Sequence, residues 1–285
     1  MGKDVARRKT WTCPVCHRTR RLSFCPSCGE QRLRRSDLTL ADLAAQFAKG
    51  FSSIDGRLLR SFRSILTAPG DLTRAYVHGE RRKFLGPLAL FFVANALFVG
   101  TQALTGTNVL SSPLESHLHR QDWRPLAQTL VGQRLAARHI DIAAYAPVFD
   151  RAAIFNAKAL MILMVLALAP LLALIFYRRH RAAGVHIVFA LHLYTFVLIL
   201  LSFSVLLAES DLLMGGSGLN SRTVDLVLSL FNFSVCATYV YLAIRPTYRS
   251  SGPSRIVETA LLSIAIATLF VLYRFAIFLI TFFTT

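Results

Sequence analysis

Two cysteine pairs carry the clearest chemistry in the chain: Cys13-Pro-Val-Cys16 and, eight residues on, Cys25-Pro-Ser-Cys28-Gly29. Four thiolates from two such knuckles are the number and type that a tetrahedral structural Zn²⁺ takes. Each C-x-x-C turn aims both sulfurs at one point, and Gly29 can supply the left-handed backbone that a knuckle exit often needs. Trp11, Leu22 and Phe24 stand nearly alone among charges in the first 35 residues, so a metal has to hold this head together. Two disulfides or a redox pair are the rival readings. A cytoplasmic head disfavours stable disulfides, and a redox pair has no need of a twin. Iron in the same thiolates stays open beside zinc. With cysteine at all four corners there is no position for a metal-bound water, so no catalytic residue is assigned. Cys236, inside a long apolar run, reads as a small buried hydrophobe.

A second set of candidates lies inside apolar runs: Asn95, His192, Asn232 and Arg274, with His186 and Glu258 at the rims. Polar groups placed in lipid are functional candidates by default. His186 and His192 are six residues apart, about 120° around a helix, so one metal cannot take both from one face. His192 reads first as an interhelical hydrogen bond, and Arg274 either as snorkelling outward beside Tyr273 or as part of an anion or lipid-headgroup site. At about 1.5 Å per residue, Asn232 and Arg274 reach similar depths and can meet at one level, while His186 and Glu258 can pair at the inner rim. A third candidate is Arg81-Arg82-Lys83, at the edge of the first apolar run, as a lipid or partner contact.

The elements that position these groups follow from composition. The chain has 285 residues, 54% hydrophobic and only 16% charged, yet Lys+Arg outnumber Asp+Glu 32 to 15, for a net charge of +17. Mean hydropathy is +0.49. Such apolarity excludes a disordered chain, and the clustering of apolar residues in long runs argues against a soluble enzyme. The fold class is an all-α integral membrane protein with about five transmembrane helices and a small N-terminal zinc ribbon. The expected spans are 85–104, 157–177, 185–207, 224–244 and 259–283, each near the roughly 20 residues a bilayer requires. Pro170 falls in the second and is tolerated there, usually with a kink.

Lys/Arg bias sets the expected orientation. Most of the charge excess lies before Phe84, and no signal-peptide core is visible there. The loops holding Arg178, Arg179, Arg181 and Arg245, Arg249, Arg255 contain no acid. Five alternating spans put those loops and the head on the cytoplasmic side and the C-terminus outside. Segment 105–156 is then a small outer cap, with one amphipathic helix over about 126–140.

Three parts result: a zinc ribbon at 1–36, amphipathic juxtamembrane helices at 37–84 and a transmembrane domain at 85–285. The basic coat of the ribbon is Arg18, Arg20 and Arg21, then Arg32, Arg34 and Arg35. It suits anionic headgroups better than nucleic acid, or serves topology alone. The periodicity of 37–66 predicts a basic amphipathic helix, broken at Gly50 and Gly56 and ended by Pro69-Gly70. It lies in the interface or packs on the protein's own loops or on a second copy.

The head together with Pro69, Gly70, Tyr76, Gly79, Arg81, Lys83, Phe84 and Pro87, and the span around His186-Ile-Val-Phe189-Ala-Leu-His192, resembles an uncharacterised bacterial family of zinc-ribbon-headed inner-membrane proteins. Tyr194 stands where members often have a further histidine, a departure that weakens a histidine metal site. The resemblance implies a bacterial inner-membrane setting and a zinc head, and no activity. The functional expectation is a non-enzymatic scaffold or sensor whose zinc head recognises a protein partner or anionic lipid, with a homo-oligomer open. The alternative is a transporter or lipid-handling protein using the intramembrane polar residues.

Overall fold

The computed structural model describes residues 10–20, 22–28, 30–32, 56–179 and 181–285. The expected helix start at Asp37, the Gly50 break, Gly29, Arg21, Arg34 and Arg35 lie outside the described residues. The head is a two-stranded antiparallel hairpin, β1 (Trp11–Thr12) and β2 (Thr19–Arg20), with Trp11 opposite Arg20. All other regular structure described is helical: α1 Arg57–Thr67, α2 Asp71–Val77, α3 Pro87–Thr105, α4 Leu114–His119, α5 Arg124–Arg138, α6 Ile142–Ala159, α7 Ile162–Ile175, α8 Ala183–Leu213, α9 Arg222–Tyr248 and α10 Gly252–Thr284.

Local chemistry marks several helix ends. Pro87 opens α3, where its missing N–H costs nothing, and Gly106 closes it at φ 70°. Ser221 caps α9 through Val224 N, and Asp141 accepts from Ile142 N at the start of α6. Gly56 precedes α1, as its breaker role predicts, and Ala68 follows it.

Among the described residues, four helices are long and apolar enough to cross a membrane: α3, α8, α9 and α10. A fifth crossing requires α6 and α7 together, which meet at a 50° bend. The second span therefore differs from the expected straight run over 157–177. Helix α7 has 14 residues, or about 21 Å at 1.5 Å each, short of a hydrocarbon core of about 30 Å. The bend falls at Leu160–Met161, between the two helices, and Pro170 lies within α7.

Helix α8 is the axis. Nearly every residue from Val185 to Leu198 is buried, with α3, α7 and part of α9 against it. The outward faces of the long helices carry large apolar side chains, among them Leu97, Leu174, Leu226 and Phe231. That surface suits lipid, since the backbone groups are satisfied within each helix. Segment 105–156 forms a second core: Leu114, Val131, Tyr145 and Phe149 close over Phe278 and Phe282 of α10. Arg134 donates to Phe282 O, and Arg138 donates to Thr285 O at 2.7 Å, so two cations meet the carbonyl end of α10.

Candidate metal centre and its collar

The two knuckles of the head repeat one hydrogen-bond pattern. Cys13 N donates to Arg18 O at 3.0 Å, and Cys25 N donates to Glu30 O at 2.7 Å. His17, the residue after Cys16, adopts φ 54°. It takes in the first knuckle the left-handed place that the sequence suggested for Gly29 in the second. Nothing in its residue type announced that, since histidine there is only tolerated.

All four sulfurs lie within 4.8 Å of one another. Cys13 Sγ and Cys28 Sγ are 3.4 Å apart, as are Cys16 Sγ and Cys25 Sγ. These separations are too long for disulfides, whose sulfurs sit about 2.05 Å apart. They bracket the edge of a tetrahedron of sulfurs around a metal at about 2.3 Å, an edge of about 3.8 Å. Cys13 and Cys25 are fully buried. The donor set therefore fits a four-coordinate metal ion.

A collar joins this centre to the helices. Glu30 is buried, and its Oε2 accepts from Arg82 N at 3.2 Å. The Arg82 guanidinium donates to Cys28 O. From the other side, Ser61 Oγ of α1 accepts from Leu85 N at 2.9 Å, and Arg60 Nε donates to Lys83 O at 3.2 Å. The loop that starts α3 is thus gripped between the head and α1. Lys83 pairs with Glu80 at 3.0 Å, and Arg81 lies 4.7 Å over the Tyr76 ring. The structure engages all three residues of the Arg81-Arg82-Lys83 cluster within the protein.

Helix α2 sits deeper than a surface helix would. Gly70, at φ 82°, precedes it, and a Cβ there would come within 2.3 Å of Ala243 O on α9. Thr73 Oγ1 and His192 Nδ1 are 2.8 Å apart, a buried bond from α2 to α8. His192 therefore makes the interhelical hydrogen bond expected of it, though its partner was not legible. On the same helix, His186 Nδ1 lies 3.0 Å from Tyr248 OH and the two rings stack. Phe176 also stacks on Tyr248, with centroids 3.8 Å apart.

Two suggested pairings do not form. Glu258 meets Arg179 at 3.1 Å and Ser250, in place of His186. The acid takes the guanidinium, the full charge nearby, and the histidine takes a neutral phenol. Asn232 accepts from Ser204 Oγ at 2.6 Å, whereas Arg274 donates to Ser112 Oγ of the outer segment. Arg274 is therefore drawn to the cap instead of toward Asn232. Asn95 leaves Oδ1 buried without a hydrogen-bond partner.

An apolar cavity of about 570 Å³ lies among α8, α9 and α10. Asn232 and Ser204 line it, as does Ser263, whose buried Oγ has no hydrogen-bond partner. His192 and Arg274 do not border it. The three polar levels singled out from the sequence therefore do not share one chamber.

Fold and site together define, among the described residues, a mainly helical protein with four or five helical stretches long and apolar enough to cross a membrane and a four-cysteine cluster that can hold a metal ion near its N-terminus. Residues 55–99 match the model of a family described as a protein of unknown function (DUF3667). The matched stretch contains α1, α2, the gripped loop and most of α3. No curated protein and no solved structure matches the chain.

Proposed function

We propose that this is a non-enzymatic membrane scaffold or sensor, in which a structural Zn²⁺ held by Cys13, Cys16, Cys25 and Cys28 keeps a recognition head seated on the first transmembrane helix. The observation that carries it is the Arg82 contact: its N–H reaches Glu30 and its guanidinium reaches Cys28 O, one of the knuckle carbonyls. Bound zinc supplies the fold of the head and no bond-making step. Loss of the metal releases the collar, which links the metal state to the start of α3. The head also keeps Leu22 and Phe24 about half exposed. Beside Arg18 and Arg20, these residues offer an apolar and basic face to a protein partner or to anionic headgroups.

The setting proposed is a bacterial inner membrane, with the head in the cytoplasm and the end of α10 outside. The arginine-rich loops support it, and so does the packing of segment 105–156 on the opposite end of α10. Nucleic acid is the weaker partner, because the spans already hold the basic face against lipid phosphates.

Elemental analysis of the purified protein tests the metal: one zinc per chain is expected, and iron or no metal overturns the assignment. A photoreactive residue at Phe24 tests recognition in native membranes. Adducts with a protein or a phospholipid support the reading, and no adduct with either contradicts it. A second reading, lipid handling, is favoured by the 570 Å³ cavity, whose size and lining suit an apolar chain. Ser263→Phe, which fills it, is expected to reduce co-purified lipid if that reading holds.

A further inference from the structure

The short basic loops, which in the sequence do no more than set topology, converge with α2 on one concave site. Arg74 and His78 of α2 and its flank, Arg181 before α8, Arg245 and Arg249 at the end of α9, and Arg255 of α10 border a cleft of about 770 Å³. Among the described residues, Asp71 is the only acid that borders it, and it pairs with Arg74 at 3.3 Å. Among the described residues, no carboxylate lies within ion-pair distance of Arg181, Arg245, Arg249 or Arg255. The nearby Glu258 belongs to Arg179 and Ser250.

The positive-inside bias requires positive loops. It does not require that guanidinium groups from three separated stretches share a cavity, an arrangement that like-charge repulsion opposes. Part of the cleft is also pre-set. Arg255 donates Nε to Tyr241 O at 2.7 Å and lies 3.6 Å over the Tyr241 ring, which fixes the plane of its guanidinium. On the α2 side, His78 Nδ1 donates to Arg74 O at 2.7 Å. Planar, fixed arginines recognise phosphate through paired N–H donors.

We propose that this cleft binds a phosphate-bearing anion. Pro69, Leu242 and Pro246 add an apolar wall beside the charges, which suits the glycerol and acyl root of a lipid phosphate at the membrane edge. The site does not rest on the head: none of its residues touches the four cysteines, and metal-free protein is expected to bind as well as the metal-bound form. Failure here and failure of the zinc reading are therefore separable.

The test titrates the full-length protein in neutral detergent with inorganic phosphate, with dihexanoyl phosphatidic acid and with dihexanoylglycerol, followed by calorimetry. Phosphatidic acid is expected to bind, with affinity falling as salt rises, and dihexanoylglycerol is expected not to. Equal affinity for inorganic phosphate assigns the site to a free phosphate; a clear preference for the lipid assigns it to a headgroup. Arg245→Gln with Arg249→Gln, both exposed side chains, is expected to weaken binding about tenfold or more. Arg181→Gln, on a separate element, is expected to act in the same direction, and retained metal content and melting temperature report that each variant is folded. Binding of neither phosphate compound, or equal binding by folded wild type and double variant, overturns the proposal.

Discussion

The two halves of α9 behave differently. Its C-terminal half, from Tyr239 to Tyr248, is mostly buried: Tyr239 stacks on Phe196, Tyr248 packs against Phe176 and His186, and Gly70 presses on Ala243. Its N-terminal half, from Arg222 to Thr238, has no buried residue, and one face of it lines the cavity. Helix α2 accounts for part of the contrast, because it packs on α9 and its preceding Gly70 meets Ala243 in the C-terminal half. A membrane-length helix can therefore be fixed at one end only. The basic cleft lies at the fixed end.

The largest effect that would sharpen this contrast is at the metal. Cys13→Ser with Cys16→Ser is expected to abolish metal binding and unfold the head while the helices still insert, as read by elemental analysis and by the protein's membrane fraction. Loss of insertion would show that the two parts are not separable. Next is Gly70→Ala, which adds a Cβ against the Ala243 carbonyl at a positive φ. The expected loss is on the order of 3 kcal/mol, visible as a lower melting temperature in detergent. A variant as stable as wild type would show that α2 does not sit on α9 as described.

The 105–156 segment gives a pH-dependent comparison. Burial first, and then the Arg274 guanidinium, pushes His117 down to about 4. The cap's stability from this group is complete above the unfolded value of about 6.5, because the unfolded chain is the first to take up the proton as pH falls. It is lost progressively between about 6.5 and 4, by on the order of 2 kcal/mol. His117 also accepts from Trp123 Nε1 at 3.1 Å, a bond that protonation at Nδ1 removes. Proteolysis within 114–140 should therefore rise in that window, and His117→Phe should flatten the dependence. Thr73→Val is expected to cost about 1–2 kcal/mol, because it leaves His192 Nδ1 buried without a partner. The smallest effect is expected at Asn232→Leu, on the loose half of α9: within about 0.5 kcal/mol.

How much of this was written in the sequence depends on the kind of signal. Cysteine spacing identified the four sulfurs, because ligand geometry is local. Apolar run length located α3, α8, α9 and α10, because the bilayer imposes a length. The expected cap helix at 126–140 corresponds to α5 at Arg124–Arg138. The α6–α7 bend was hidden, since Leu160–Met161 offers neither glycine nor proline at the break. Pro69-Gly70 read as a helix stop, but the reason for the glycine is a neighbouring helix far away in the chain. The same limit hid the Thr73 partner of His192, the Tyr248 partner of His186 and the convergence of the arginines. Hydropathy says which residues enter lipid, not which faces meet.

The central claim is that the metal head grips the loop that begins α3, and amide hydrogen exchange at Arg82 tests it directly. With metal bound, the Arg82 N–H is expected to be protected by Glu30. Chelation should remove that protection while leaving the amides of α8 unchanged. Protection at Arg82 that survives removal of the metal would contradict the account.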